Sequence, residues 1–224
     1  MLAWVVLIMV VLELLVEEVK VRKIFKRNKK DVRLKVLAAI LYYLGISLRK
    51  TSSFMAVFQT MSHEAVRTYY HRLKNVIQPP QKKKRRLIAV DGTKLKIEEL
   101  QVFVWIAVDV DTREVLSVRP SRGRSSLDAY LFLRGVLKYC ENKPEFVVDK
   151  GPWYPWAFQR LGLRFRQERF GERSVVESVF SLLKRRTERF WNRFPYKSSF
   201  TSVQSWLESF FAVYNFLEVM PSLS

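Results

Sequence analysis

"RLIAVDGT", residues 86–93, has four apolar residues, 87–90, that read as a buried strand, places an acid, Asp91, at its end, and follows it with Gly92 for a tight turn. A carboxylate is costly to bury without a partner, so an acid at the mouth of a sheet needs a reason beyond packing. Downstream, "QVFVWIAVDVD" (101–111) is a second strand, rich in Val, Ile and aromatics. "DTREV" (111–115) turns it into a third, "VLSVRPS" (115–121). Three strands with short connections predict an antiparallel meander.

The pattern then alternates. "SSLDAYLFLRGVLKYC" (125–140) is an amphipathic helix carrying Leu127, Leu131, Leu133 and Leu137. "EFVVD" (145–149) is a short fourth strand, and "PWYPWAFQRLG" (152–162) a helix ending at Gly162. "LRFRQERF" (163–170) alternates charge as an edge strand does. "SVVESVFSLLKRRTERFW" (174–191) is a long helix opening at Ser174, and "SVQSWLESFFAVYNFLE" (202–218) a last one. The order βββαβαβα, with all five strands in one sheet, predicts a mixed α/β sandwich.

Asp91 ends the first strand and Asp149 the fourth. If those strands are parallel neighbours, the two carboxylates sit side by side at the rim of the sheet, where α/β proteins bind ligands. Like charges that close are unfavourable unless a cation lies between them. A hard divalent ion with oxygen ligands, Mg²⁺ or Mn²⁺, meets that need. Glu177 is the best third ligand: it lies in the first turn of the long helix, among Val175, Val176, Val179 and Phe180. Lys184 follows two turns down the same face and would grip a phosphate; Arg185 and Arg186 extend the basic surface. Other acids have ordinary readings. Asp109 and Asp111 suit a hairpin turn, Asp128 suits a helix first turn, and Glu168 and Glu172 sit in a charged segment without apolar context. Trp153, Tyr154 and Trp156 are either packing residues or a stacking surface for an unpaired base.

Charge points to the partner. The chain of 224 residues carries 40 Lys+Arg against 21 Asp+Glu, a formal charge of +19. Self-repulsion of that size favours a polyanionic partner, and nucleic acid leads over an anionic membrane surface. The single cysteine, Cys140, lies in an apolar helical pattern, so the chain has no internal disulfide and suits a reducing compartment, the cytoplasm. Two histidines, His63 and His71, complete no zinc set.

Ahead of the strands the chain reads as helical. Residues 1–30 form an apolar, then basic, extension; Leu12, Leu15, Val16 and Val19 recur at helical spacing, as in a packed or self-associating helix. Glu13, Glu17 and Glu18 leave the uncharged run short of the roughly 18–20 residues a membrane span needs. Residues 31–78 read as a three-helix head. Leu34, Leu37, Ala38, Leu41 and Leu44 form a stripe stopped by Gly45; Ser47 caps a helix holding Phe54, Val57 and Phe58; Ser62 caps one turning Val66, Tyr70 and Leu73 inward. Two helices joined by "QTM" make either a helix-turn-helix, with Arg67 and His71 offered to a groove, or a plain bundle. The charge favours the former. "QPPQKKKRR" (78–86) closes the head: residues 79–86 are a basic linker, and Lys82, Lys83, Lys84, Arg85 and Arg86 laid along a phosphate backbone would add salt-dependent affinity.

Taken in order, "VDGT", "FVVDKG" and "VVESVFSLLKRR" resemble the DDE transposases of insertion sequences, and most the IS6-type group. The resemblance runs from about Asp31 to about Leu217. It implies an RNase H-like catalytic domain over residues 87–224, a five-stranded mixed sheet with flanking helices behind an all-α head. It also implies Asp91, Asp149 and Glu177 as the metal-binding catalytic triad, double-stranded DNA (transposon ends and target) as substrate, no small-molecule substrate, and a homodimer or larger assembly on DNA. Cleavage and strand transfer would use two metal ions. Where such proteins carry an acid after the first Asp, this chain has Gly92. The same fold also serves hydrolytic nucleases, and a decayed element product that only binds DNA is the non-enzymatic alternative.

Overall fold

The computed structural model describes residues 2–25, 29–76, 79–97, 100–168, 171–188, 193–194 and 199–219. The chain forms two compact units, residues 79–207 and residues 1–78 with 208–224.

The larger unit is built on one sheet of order β3-β2-β1-β4-β5. Strands β1 (Leu87–Ile97), β2 (Leu100–Asp109) and β3 (Val115–Ser121) form the antiparallel meander. Strands β4 (Glu145–Val148) and β5 (Phe165–Gln167) join in parallel on the far side of β1. Parallel neighbours need crossovers, supplied by helices α5 (Ser126–Val136) and α6 (Tyr154–Leu161). Helix α7 (Ser174–Glu188) packs on β1 and β2. This is the RNase H-like arrangement. The five-strand order is the expected one; among the described residues a two-residue strand, β6 (Arg193–Phe194), pairs in addition with the end of β1, off that path.

One face of the sheet carries Ile88, Val90, Trp105, Ala107, Phe146 and Val148, packed under Phe132, Leu133 and Val136 of α5 and Phe158 of α6. Cys140 joins that core, as its apolar setting indicated. A reciprocal cap starts α5: Asp128 N–H donates to Ser125 Oγ at 3.1 Å, and Ser125 N–H donates to the Asp128 carboxylate at 2.9 Å. Ser125→Ala should therefore lower stability by about 1 kcal/mol, read as a shift of the urea midpoint of the full chain with unchanged slope.

The reading of Asp91 as a strand end is corrected. β1 runs on to Ile97, and Gly92 pairs with Trp105 in mid-strand rather than turning. Up to Asp91 the strand is buried throughout; beyond it Thr93, Lys94 and Lys96 are exposed or half-exposed around buried Leu95. Among the described residues pairing with β4 stops at Ala89, and two residues further on the burial pattern of β1 changes from solid to alternating. That change of pattern imitates a strand end.

The smaller unit holds α1 (Leu2–Val21), α2 (Val32–Tyr43), α3 (Leu48–Met55) and α4 (His63–Leu73). Among the described residues no helix is long and apolar enough to cross a membrane. Leu15, Val16 and Val19 of α1 are buried, as are Val66, Tyr70 and Leu73 of α4. Ser47 and Ser62 cap α3 and α4, and Asp31 caps α2. Two expectations fail here. The buried side of α2 is Lys35, Val36, Ala38, Ala39, Tyr42 and Tyr43, while Leu44 is 63% exposed. Its sequence is apolar nearly all round, and aromatic contacts set the rotation: Tyr42 on Tyr70, Tyr43 on Phe210. α3 ends at Met55, so residues 56–62 form a longer connection than "QTM" alone; Val57 and Phe58 lie exposed on it, and Phe54 is exposed on α3, whose buried residues are Thr51 and Met55. Tyr43 on Phe210 and the Lys74–Glu208 ion pair link Phe210 and Glu208 to the helices of this unit.

Candidate active site

Strand register brings the first two acids together. β1 and β4 pair through Leu87↔Glu145, Ile88↔Phe146 and Ala89↔Val147. Two residues beyond that last rung on each strand stand Asp91 and Asp149. Ile88, Val90, Phe146 and Val148 face the α5–α6 core. Alternation therefore turns Ala89, Asp91 and Val147 to the other face, where Arg173 and Glu177 reach Asp91, and Asp149 follows directly after β4 ends at Val148. The Asp149 carboxylate accepts the Gly151 N–H at 3.0 Å, which closes the loop after β4. Gly151 has to be glycine, because a Cβ there would lie 2.3 Å from the Trp153 ring.

Glu177 enters from the first turn of α7. Its neighbours Val176, Val179 and Phe180 are buried, while its own carboxylate is about half exposed at 47%. The link between Glu177 and Asp91 is Arg173, one helical turn earlier and unmarked by any pattern in the sequence. Arg173 Nη2 donates to Asp91 Oδ2 at 2.8 Å and lies 3.2 Å from Glu177 Oε1. Its Nη1 donates to the Glu168 carbonyl at 3.4 Å. Burial by itself would lower the Arg173 pKa; the hydrogen bond to Asp91 and the charges of Asp91, Glu177 and Asp149 outweigh it and push it up. Asp149 thus belongs to the same electrostatic group as the other two acids.

Behind the acids lies fully buried Tyr154. Burial, then the negative charges of Asp149 and Asp91, raises its pKa well above the ordinary phenol value, so it stays protonated. Arg124 lies beside it, stacked 4.1 Å from the centre of the Trp153 ring and donating to the Gly92 carbonyl at 2.7 Å. A Cβ on residue 92 would stand 3.1 Å from Arg124 Nη2. Gly92 therefore leaves the space that this guanidinium fills.

The remaining site candidates separate. Lys82, Lys84, Arg86, Lys184, Arg185 and Arg67 are exposed, Lys83 and His71 half-buried. Lys83 is tied by its backbone to Tyr139 and Glu141, so the basic run is partly built into the fold rather than a free linker. Arg86 is shared between Asp111 and Glu172. Arg85 and Arg186 leave the set of surface cations. The Arg85 side chain is 0% exposed, paired with Asp109 at 2.6 Å and Glu114 at 3.1 Å. Arg186 is buried over the Trp206 ring at 5.4 Å. Glu172 and Glu168, the rivals of Glu177, are paired with Arg166. Tyr154 is core, whereas Trp156 is 48% exposed and leans on Tyr130.

The donor set fits a hard divalent cation. It is all carboxylate, and two of its members already hold a cationic group in common. Among the described residues no three metal-ligating side chains close on one point as they stand; Asp91 and Glu177 are drawn onto the guanidinium instead.

A family model described as a DDE domain, of the IS240 transposase type, matches residues 86–218. An uncharacterized protein of Methanocaldococcus jannaschii is 50% identical over 207 residues, covering 92% of this chain and 97% of the relative. Among solved structures, the simian T-cell lymphotropic virus intasome in complex with a PP2A regulatory subunit aligns at 17% identity over 75% of this chain and 66% of that one, with a TM-score of 0.43. The HTLV-2 integrase catalytic core domain in complex with magnesium aligns at 16% identity over 49% of this chain and 74% of its own, with a TM-score of 0.40.

Proposed function

Since the chain belongs to the DDE-domain family of IS6-type insertion-sequence transposases, we propose that it binds the ends of its element and cuts and joins DNA there by phosphoryl transfer, acting in the cytoplasm on nucleoid DNA. The observation that carries the reading is Asp91 and Glu177, far apart in sequence, meeting on one guanidinium beside the end of β4, within the field of Asp149.

Asp91, Asp149 and Glu177 would hold Mg²⁺ or Mn²⁺, which when bound acidifies the attacking hydroxyl and neutralises charge on the phosphate and leaving oxygen. The rest falls to the chain's own groups. Asp91 is held by β1, Asp149 stands directly after β4 with its carboxylate on the Gly151 N–H, and Glu177 is carried by the first turn of α7, so each acid would act from a fixed element. Protonated Tyr154 closes the floor of the site without adding a charge. Exposed Lys184 and Arg185 lie along α7 beyond Glu177 and would hold the DNA backbone, with Lys82, Lys84 and Arg86 from the run ahead of β1. The helical head, with Arg67 and His71 on α4, would read the ends as a helix-turn-helix. Two ends have to be held at once, which calls for a second copy of the chain.

The test uses the full chain with duplexes carrying the inverted repeats that flank its reading frame. With Mg²⁺, nicks at the repeat boundary and joined products are expected; with EDTA, neither. Nicks without joining would make the chain a nuclease. Stable binding with no Mg²⁺-dependent product would make it a DNA-binding protein without catalysis.

A further inference from the structure

We infer that Arg173 is the resident cation of the carboxylate site: it holds Asp91 and Glu177 together while no metal is bound, and a divalent ion loads only by displacing it. This rests on the reading of those acids as metal ligands.

The geometry is specific. A single nitrogen, Nη2, meets one carboxylate from the middle of β1 and one from the first turn of α7. The Arg173 side chain is 14% exposed and that of Asp91 12%, so this pair is shielded from water. Two acids brought together there without a cation would repel, and the nearby charge of Asp149 adds to that cost. An arginine recruited only to steady α7 would need one acid; this one takes two of the three candidate ligands. A divalent ion drawn to these carboxylates meets a guanidinium already seated on Asp91 Oδ2 and Glu177 Oε1, and two cations held on the same pair of acids repel each other. Arg173 closes a short turn, Gly171–Arg173, that enters α7 after a left-handed glycine at φ 89°. Its long side chain can swing off the acids without moving a strand.

Competition of this kind lowers apparent metal affinity by the fraction of molecules whose acids are uncovered. If the guanidinium covers them in about nine molecules of ten, removing its charge tightens metal binding about tenfold. The test is Mn²⁺ binding to the full chain, counted from the electron paramagnetic resonance of free Mn²⁺, for the parent, Arg173→Gln, Arg173→Lys and Asp149→Asn. Arg173→Gln should bind about tenfold more tightly than the parent and, without metal, melt at a lower temperature. Arg173→Lys should stay near the parent in both. Equal or weaker binding by Arg173→Gln overturns the proposal and makes Arg173 an aid to Glu177 in the loaded site. Parent binding that Asp149→Asn does not weaken overturns the metal-site reading itself, and the proposal with it. A second measurement needs no variant. Phenylglyoxal labelling of Arg173, followed by mass spectrometry, should rise when Mg²⁺ is added to the parent; labelling that falls or stays constant contradicts displacement.

Discussion

Asp149→Asn is expected to reduce Mg²⁺-dependent cleavage of element-end DNA by on the order of a thousandfold or more, while the thermal midpoint holds or rises slightly. The loss follows from charge. A metal ligand contributes several kcal/mol to the transition state, and about 1.4 kcal/mol is a tenfold change in rate. Structure is spared because Asn keeps the oxygen that accepts the Gly151 N–H at 3.0 Å, so the loop after β4 closes as before. Among the described residues the Asp149 carboxylate makes no ion pair that the change would break, and the repulsion of Asp91 that is relieved offsets the attraction to Arg173 that is given up. Asp91→Asn should lose as much activity but behave oppositely in the melt. It takes a shielded acceptor from Arg173, a charge-assisted bond of about 1.5–3 kcal/mol. Cleavage of end-labelled duplex, gel shift and calorimetry on the same preparations give the three readouts. Asp149→Asn retaining cleavage within about tenfold of the parent would remove this residue from the chemistry.

The acids were legible because each stands against its local pattern. Asp91 interrupts a run of buried residues, Asp149 ends one, and Glu177 sits among valines. The topology was legible for a similar reason: strand and helix periods alternate cleanly from Leu87 to Leu161. What the sequence hid depends on three-dimensional partners. Arg173 lies in a charged segment, and nothing in "GERS" says that its guanidinium will bridge a strand and a helix. Within "KKKRR" the five cations look alike, yet Arg85 is enclosed while Lys82 and Lys84 are exposed. The rotation of α2 was lost because a helix apolar nearly all round has no clear weak side, its one buried cation, Lys35, misleads, and Tyr42 and Tyr43 decide the rotation through residues far along the chain. Gly92, which departs from the family pattern, makes sense only beside Arg124.

Arg85→Ala is expected to cost the full chain about 3–5 kcal/mol, the usual effect of removing one partner from a buried ion pair. Arg85 is fully enclosed and Asp109 4% exposed, so the carboxylate left behind has little access to water. The guanidinium also donates to the Tyr139 carbonyl at 3.0 Å and the Gln81 carbonyl at 2.9 Å. It thereby fastens the segment before β1 to the β2–β3 turn and to the end of α5. Asp109 has a second duty, since Oδ1 accepts the N–H groups of Asp111 and Thr112 and shapes that turn. The informative double variant is therefore Arg85→Met with Asp109→Asn, which removes the enclosed pair of charges, keeps the turn acceptor and leaves only the more exposed Glu114 to be met by water. It should recover more than half of the loss in urea unfolding, because the penalty lies in the orphaned charge and not in the missing attraction. DNA binding separates this residue from its neighbours. Lys84→Ala should flatten the dependence of log affinity on log salt by about one, as the loss of one phosphate contact does. The Arg85→Met, Asp109→Asn pair should leave that slope unchanged. A flattened slope in the double variant with unfolding intact would return Arg85 to the DNA-facing set, and the enclosed ion pair would then have to open when DNA binds.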